Sequence, residues 1–72
     1  MRWECRYSSC EMLYLVVGPD CVRSFLDHSE ANAGRWAFAD VLAGVHDAEV
    51  QALFGEEVLT QLKAEVRRRV PT

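Results

Sequence analysis

Three cysteines and two histidines are the residues of this sequence best suited to chemistry. Three thiolates and one imidazole form a recognised structural zinc site, and the candidate ligands are Cys5, Cys10, Cys21 and either His28 or His46. The spacing argues against this site, since no Cys-x-x-Cys pair occurs and Cys5 alternates with Trp3 and Tyr7 as a core residue would. A small structural zinc-binding domain is therefore an alternative interpretation, and we expect no cofactor.

No arrangement of residues typical of an enzyme occurs in the sequence. Asp27, His28 and Ser29 are adjacent, so on a helix they would point in different directions and could not relay a proton. Cys21 is predicted in the first turn of a helix, where the pKa of a thiol can fall, but Asp20 beside it disfavours a second negative charge. The four glycines are dispersed and form no phosphate-binding loop. We predict a protein that is not an enzyme.

The charge distribution argues against a broad nucleic-acid surface. Eight basic and eleven acidic residues give a net charge of -3, whereas a phosphate-binding surface needs cations clustered over one face. Four of the basic residues lie near the end of the chain: Lys63, Arg67, Arg68 and Arg69. Cations in the last turn of a helix are stabilised by its macrodipole. We therefore treat nucleic acid as an unlikely partner and a DNA-binding regulator as a distant third interpretation.

Length and composition predict one folded domain, residues 1–72. Half of the residues are apolar and about a quarter are charged, which is typical of a globular chain. The N-terminus lacks the apolar region of a signal peptide, and the apolar run at 12–17 is too short to cross a membrane. An odd number of cysteines is typical of free thiols in a reducing compartment. We expect a cytoplasmic protein with no membrane partner.

The N-terminal segment predicts a β-hairpin. Apolar and charged residues alternate over 2–8, which is the period of a half-buried strand, and 12–17 is a continuous apolar run that ends in two β-branched valines. Ser8 and Glu11 also fit a capping box before a helix. That alternative would give a small all-α helical domain, but its helix would have under three turns before Pro19.

The remainder of the sequence predicts helices. Pro19 and Asp20 resemble a helix start, and the apolar spacing then predicts a helix that ends at about 29–32 and a second helix over 35–45. Apolar residues recur every four positions from Val50 to Val70, which would wind around one unbroken helix. We therefore predict helices over 47–54 and 56–69 with a break at Gly55. The predicted fold class is α+β, an N-terminal β-hairpin followed by three or four short helices.

The predicted function follows from excess apolar surface. The second strand is apolar on both faces, so helices would cover one face and a partner the other. We predict a small acidic non-enzymatic protein-binding module, a regulator or inhibitor that docks on a larger protein, with a homodimer as a further arrangement. Aromatic residues dominate interface energetics and acids steer basic partners. The predicted contact residues are Trp3, Tyr7, Tyr14, Trp36, Asp40 and Glu49.

Overall fold

The structure is a computed structural model that describes residues 1–27 and 29–70, with side chains at 1–27 and 34–70. Four strands come first, in chain order β1 (Arg2–Arg6), β2 (Met12–Val17), β3 (Cys21–Leu26) and β4 (Ser29–Ala37). Three helices follow, α1 (Phe38–Ala43), α2 (Asp47–Phe54) and α3 (Glu56–Arg69). This arrangement confirms the predicted α+β class and rules out the all-α alternative.

The four strands form one antiparallel sheet in the order β1-β2-β3-β4. The predicted hairpin is confirmed, because β1 pairs with β2 and Cys5 lies opposite Leu13. The sheet is nevertheless twice as wide as predicted. β2 lies inside the sheet, so both of its edges form hydrogen bonds to neighbouring strands, as backbone groups in a covered strand require.

The helix predicted from residue 19 is wrong, because β3 occupies that segment. Gly18, Pro19 and Asp20 instead form the turn between β2 and β3, and the Gly18 amide donates to the Cys21 carbonyl at 2.8 Å. Proline fixes φ at a value that suits a turn as well as a first helical turn. The second edge of β2 needs a partner strand, and this long-range requirement outweighs the local helical spacing.

The helix predicted over 35–45 begins only at Phe38. Residues 35–37 belong to β4, where Trp36 lies opposite Val22 and Ala37 lies opposite Cys21. Trp36 therefore follows the period of a strand and not that of the predicted helix. The helix ends at Gly44, whose φ of 89° is a left-handed value that favours glycine.

The two last helices and the break between them are confirmed. The predicted ranges 47–54 and 56–69 match α2 and α3, and Gly55 separates them with φ 98° and ψ 163°. Glycine is essentially the only residue that adopts these angles. The break turns α3 back along α2, and Lys63 Nζ lies 2.8 Å from Asp47 Oδ2 between the two helices.

The core lies between the helices and one face of the sheet. Leu15, Leu62 and Val66 are fully buried, and the buried cluster draws on β2, β3, β4 and all three helices. The cluster comprises Leu15, Val17, Val22, Trp36, Val41, Val50, Leu62 and Val66. Because α1, α2 and α3 all contribute to this one cluster, they cover this face of the sheet. They leave the opposite face uncovered.

Candidate partner-binding surface

Side chains on a strand alternate between the two faces of a sheet, and the register assigns each described residue to one of them. Leu13, Leu15 and Val17 of β2 are buried on the helix side, whereas Met12, Tyr14 and Val16 are half-buried on the other. We call this second side the open sheet face. Its described residues are Arg2, Glu4, Arg6, Met12, Tyr14, Val16, Cys21, Arg23, Phe25, Asp27, Arg35 and Ala37.

The centre of the open sheet face is apolar and aromatic. Tyr14 lies opposite Phe25, and their rings stack with centroids 5.4 Å apart and an interplanar angle of 29°. Met12 and Val16 flank Tyr14 along β2. None of these four residues belongs to the core cluster or packs against it. The sheet therefore carries a second apolar layer that the described helices do not cover.

Arginines surround this apolar centre. Arg2, Arg23 and Arg35 share one row across the sheet with Val16, because Arg2 lies opposite Val16, Val16 opposite Arg23, and Arg23 opposite Arg35. Arg6 lies opposite Met12 at the other end of β1. These are the four basic residues of the chain that precede Lys63. At neighbouring strand spacings of about 4.8 Å, they form one cationic surface.

Two of the arginines contact the aromatic pair. The Arg2 guanidinium lies 4.7 Å from the centroid of the Tyr14 ring, and that of Arg23 lies 6.0 Å from the centroid of Phe25. Cation–π contacts at these distances orient a guanidinium while its N–H groups remain free to donate. The arrangement places oriented hydrogen-bond donors above an apolar floor.

Acidic partners for these arginines are scarce. Glu4 and Asp27 are the acidic residues on the open sheet face among the side chains that the structure describes. Glu4 Oε2 lies 3.7 Å from Arg2 Nη2 in an exposed pair, and Asp27 lies opposite Met12, whose carbonyl accepts from the Asp27 amide at 3.1 Å. Arg6, Arg23 and Arg35 form no ion pair with any described residue. Within the described part of the chain, these three guanidinium groups therefore have no ion-pair partner.

Tyr14 is the predicted contact residue that lies on the open sheet face. Trp3 lies on the helix side, where it packs against the core and its indole N–H donates to Gln61 Oε1 at 3.0 Å. Trp36 is buried and stacks on His46 with ring centroids 4.1 Å apart. The structure therefore places Trp36 in the interior and not on an exposed surface.

The other predicted contact residues lie on the helix side of the molecule. Asp40 is in the first turn of α1 and Glu49 in the first turn of α2. Tyr7 is 53% exposed and lines a cleft of about 410 Å³ together with Glu49 and Leu53. Tyr7 and the two acids are therefore separated from Tyr14 by the thickness of the sheet.

The three cysteines do not come together. Cys5 lies on the helix side of β1, Cys10 is exposed in the turn that follows, and Cys21 begins β3. Among the side chains at 1–27 and 34–70, no group of three or more potential ligands is close enough to hold a metal ion. Burial raises the pKa of the Cys5 thiol and favours its protonated form. His28 lies outside the described residues.

The basic end of α3 is partly occupied by contacts within the chain. Arg69 Nε donates to Glu65 Oε2 at 2.9 Å, and Arg69 Nη1 donates to the Gly18 carbonyl at 3.3 Å. Arg68 also pairs with Glu65, at 3.3 Å. These contacts attach the helix end to the sheet, which is a structural use for residues that the third interpretation assigned to DNA.

Phe25 and the four arginines of the open sheet face are absent from the contact residues predicted from the sequence. Phe25 falls in the segment where the spacing predicts a helix, and the arginines are scattered along the chain at 2, 6, 23 and 35. The available signal was the alternation of Arg2, Glu4 and Arg6 in β1. It marks one polar face, but only the register shows that Arg23 and Arg35 extend it.

Comparisons with known proteins add no functional information. Scans of protein-family models, of curated proteins and of solved structures found no match to this chain. In the part of the chain that the structure describes, none of the helices has the length and apolar character needed to cross a membrane.

Proposed function

We propose that this protein is a non-enzymatic binding module that docks on a larger protein through the open sheet face, as a small regulator or inhibitor. The observation that supports the proposal is the second apolar layer of the sheet, formed around the stacked pair Tyr14 and Phe25. A sheet of this size needs one covered face to fold. The helices cover that face, so the sheet does not need the aromatic layer on its other side in order to fold.

The composition of the face supports a protein partner. Tyr, Phe, Met and Arg are enriched at protein–protein interfaces, and Tyr and Arg are frequent binding hot spots. The open sheet face combines these types in one patch, with Tyr14 and Phe25 at its centre and arginines around them. An apolar core with a polar rim is the usual anatomy of an interface.

The proposed partner is a different protein, because a second copy packed on this face would bring like-charged arginines together. Free thiols fit a reducing compartment, so we look for the partner among cytoplasmic proteins. The proposed contact is formed by Tyr14, Phe25 and the arginines, in place of Asp40 and Glu49, which the sequence predicts. The acids on α1 and α2 would then lie on the outer side of the complex.

Site-specific photo-crosslinking tests the proposal. A photoreactive amino acid replaces Val16 on the open sheet face, and a matched control variant carries the same group at Gln51 on the exposed side of α2. Both are incubated in extract from the source cells. We expect a discrete crosslinked protein from position 16 and none from position 51. No adduct from either position, or the same adducts from both, would contradict docking through this face.

A further inference from the structure

We infer that the partner presents an acidic protein segment to the open sheet face, with carboxylates paired to Arg23 and Arg35. This inference rests on the proposed function and deepens it, since it names the chemistry of the surface that the module binds. It is carried by the row of three arginines across the sheet and by the lack of acidic partners for Arg6, Arg23 and Arg35 among the described residues.

Arg23 and Arg35 give the strongest indication that the partner is acidic. They lie directly opposite each other on β3 and β4, and like charges in that position destabilise a sheet. Neither has an ion pair with any described residue that would offset the repulsion. A carboxylate placed between the two guanidinium groups would accept hydrogen bonds from both, and charge-assisted bonds of this kind are the strong ones.

A second copy of this chain does not complement the charge of the open sheet face. Counting the side chains that the structure describes, two open sheet faces packed symmetrically would bring eight arginines against four acids, since each copy contributes Arg2, Arg6, Arg23 and Arg35 together with Glu4 and Asp27. Packing the open sheet face on the acidic helices of another copy is head-to-tail, and such contacts do not close a dimer. The charges therefore select a different, acidic partner.

Single-stranded nucleic acid is also anionic, but the aromatic pair does not suit it. Base recognition on a sheet uses free ring faces on which bases stack. Here Tyr14 and Phe25 stack on each other, and Arg2 lies over the ring of Tyr14. With its ring faces occupied in this way, the pair offers an apolar floor with oriented guanidinium groups, which suits acidic and apolar side chains in alternation.

The test is an NMR titration of the full ¹⁵N-labelled chain with three probes. The first is a short peptide of alternating glutamate and leucine, the second is the same peptide with lysine for glutamate, and the third is a short oligothymidylate. We expect the glutamate peptide to shift amides of β1, β2 and β3 and those around Arg35. Because the arginines are exposed to solvent, its affinity should weaken as salt is raised.

Two charge-matched variants localise the effect. Arg23→Glu with Arg35→Glu should weaken binding of the glutamate peptide by about tenfold or more, since close charge pairs at interfaces couple strongly. Arg67→Glu with Arg68→Glu changes the net charge equally at the exposed end of α3. We expect these two substitutions to change the affinity less than about twofold, because salt screens exposed charges that lie more than a Debye length from the bound peptide. Circular dichroism of each variant verifies that it is folded.

Three results of the titrations would overturn the inference. They are tighter binding of oligothymidylate than of the glutamate peptide, binding of the lysine peptide alone, and equal weakening by the two variants. A concentration-dependent dimer whose interface shifts the same amides would overturn it as well. Each of these results leaves the crosslinking experiment valid, because an adduct from position 16 reports docking whatever the charge of the partner.

Discussion

Arg23 and Arg35 lie opposite each other without an acidic partner among the described residues, and this pair gives the sharpest prediction at the scale of single residues. Arg35→Glu converts a like-charge pair into an opposite-charge pair. Cross-strand pairs of this kind differ by about 0.2–1 kcal/mol, so we expect a stabilised fold. For a domain of this size the melting temperature should rise by a few degrees, up to about 6 °C, in thermal unfolding.

Arg35→Lys is the control for this variant, since it preserves the positive charge and should leave the melting temperature unchanged. Binding surfaces often contain residues that lower the stability of the fold, because stability and function conflict there. The account is contradicted at this residue if Arg35→Glu unfolds at a lower temperature than the unaltered protein.

Glu65 gives the pH dependence of the fold. The hydrogen bond from Arg69, assisted by the charges of Arg68 and Arg69, lowers the pKa of the Glu65 carboxyl in the folded state. A folded pKa below the unfolded value stabilises the protein above the unfolded pKa, and this contribution is lost as pH falls through the folded pKa. We expect Glu65→Gln to flatten the acid side of the stability curve, measured by urea unfolding across the carboxylate range.

The partner variant Arg69→Met tests the cause of this effect. If the hydrogen bond from Arg69 is the main cause, Arg69→Met should flatten the same side of the curve, and adding Glu65→Gln to it should change little further. Fully additive effects of the two substitutions would show that Glu65 gains its stabilising role elsewhere.

At the scale of elements, the break at Gly55 is the feature most dependent on one residue. Its φ of 98° and ψ of 163° suit glycine alone, and a Cβ built there meets nothing within 4 Å. Gly55→Ala therefore strains the backbone without a steric clash, at about 1–3 kcal/mol. We expect the free energy of unfolding to fall by that amount in chemical denaturation, with α2 and α3 still formed.

A D-alanine at position 55, introduced by chemical synthesis, is the matched control. Its mirror-image backbone preference suits positive φ, so it should be at least as stable as glycine because it restricts the unfolded chain. If L-alanine and D-alanine destabilise equally, the backbone angles are not the reason for this glycine.

The elements that could be predicted are those set by local pattern. The alternation in β1, the apolar run of β2 and the four-residue recurrence of α2 and α3 are each contained within a single segment. β3 and β4 could not be predicted in this way, since Cys21, Val22, Phe25 and Leu26 suit one face of a helix as well as the two faces of a strand. The unpaired edge of β2 decides between them, and that edge is not a local property.

The candidate site was predicted only in part for the same reason. An apolar β2 with two faces indicated a surface beyond the core, and Tyr14 lies on it. Trp36 was predicted as a contact residue because aromatic residues dominate interface energetics, whereas β4 carries it into the core. The cationic character of the surface depends on register, which brings residues distant in sequence into one row.

At the scale of the whole molecule, charge is segregated between two sides. The chain has a net charge of -3, yet four arginines and only two described acids, Glu4 and Asp27, lie on the open sheet face. The first turns of α1, α2 and α3 carry acids, namely Asp40, Asp47, Glu49, Glu56 and Glu57. The overall charge therefore misrepresents the surface that we propose for docking.

The measurement that tests this account most directly is hydroxyl-radical footprinting of the protein, free and in complex with the crosslinked partner protein. The side chains of Met12 and Tyr14 report the open sheet face, while Tyr7 and Leu53 report the cleft on the helix side. The account predicts that oxidation of the first group falls several-fold in the complex and that of the second group is unchanged. Protection of Tyr7 and Leu53, with Met12 and Tyr14 still oxidised, would contradict it.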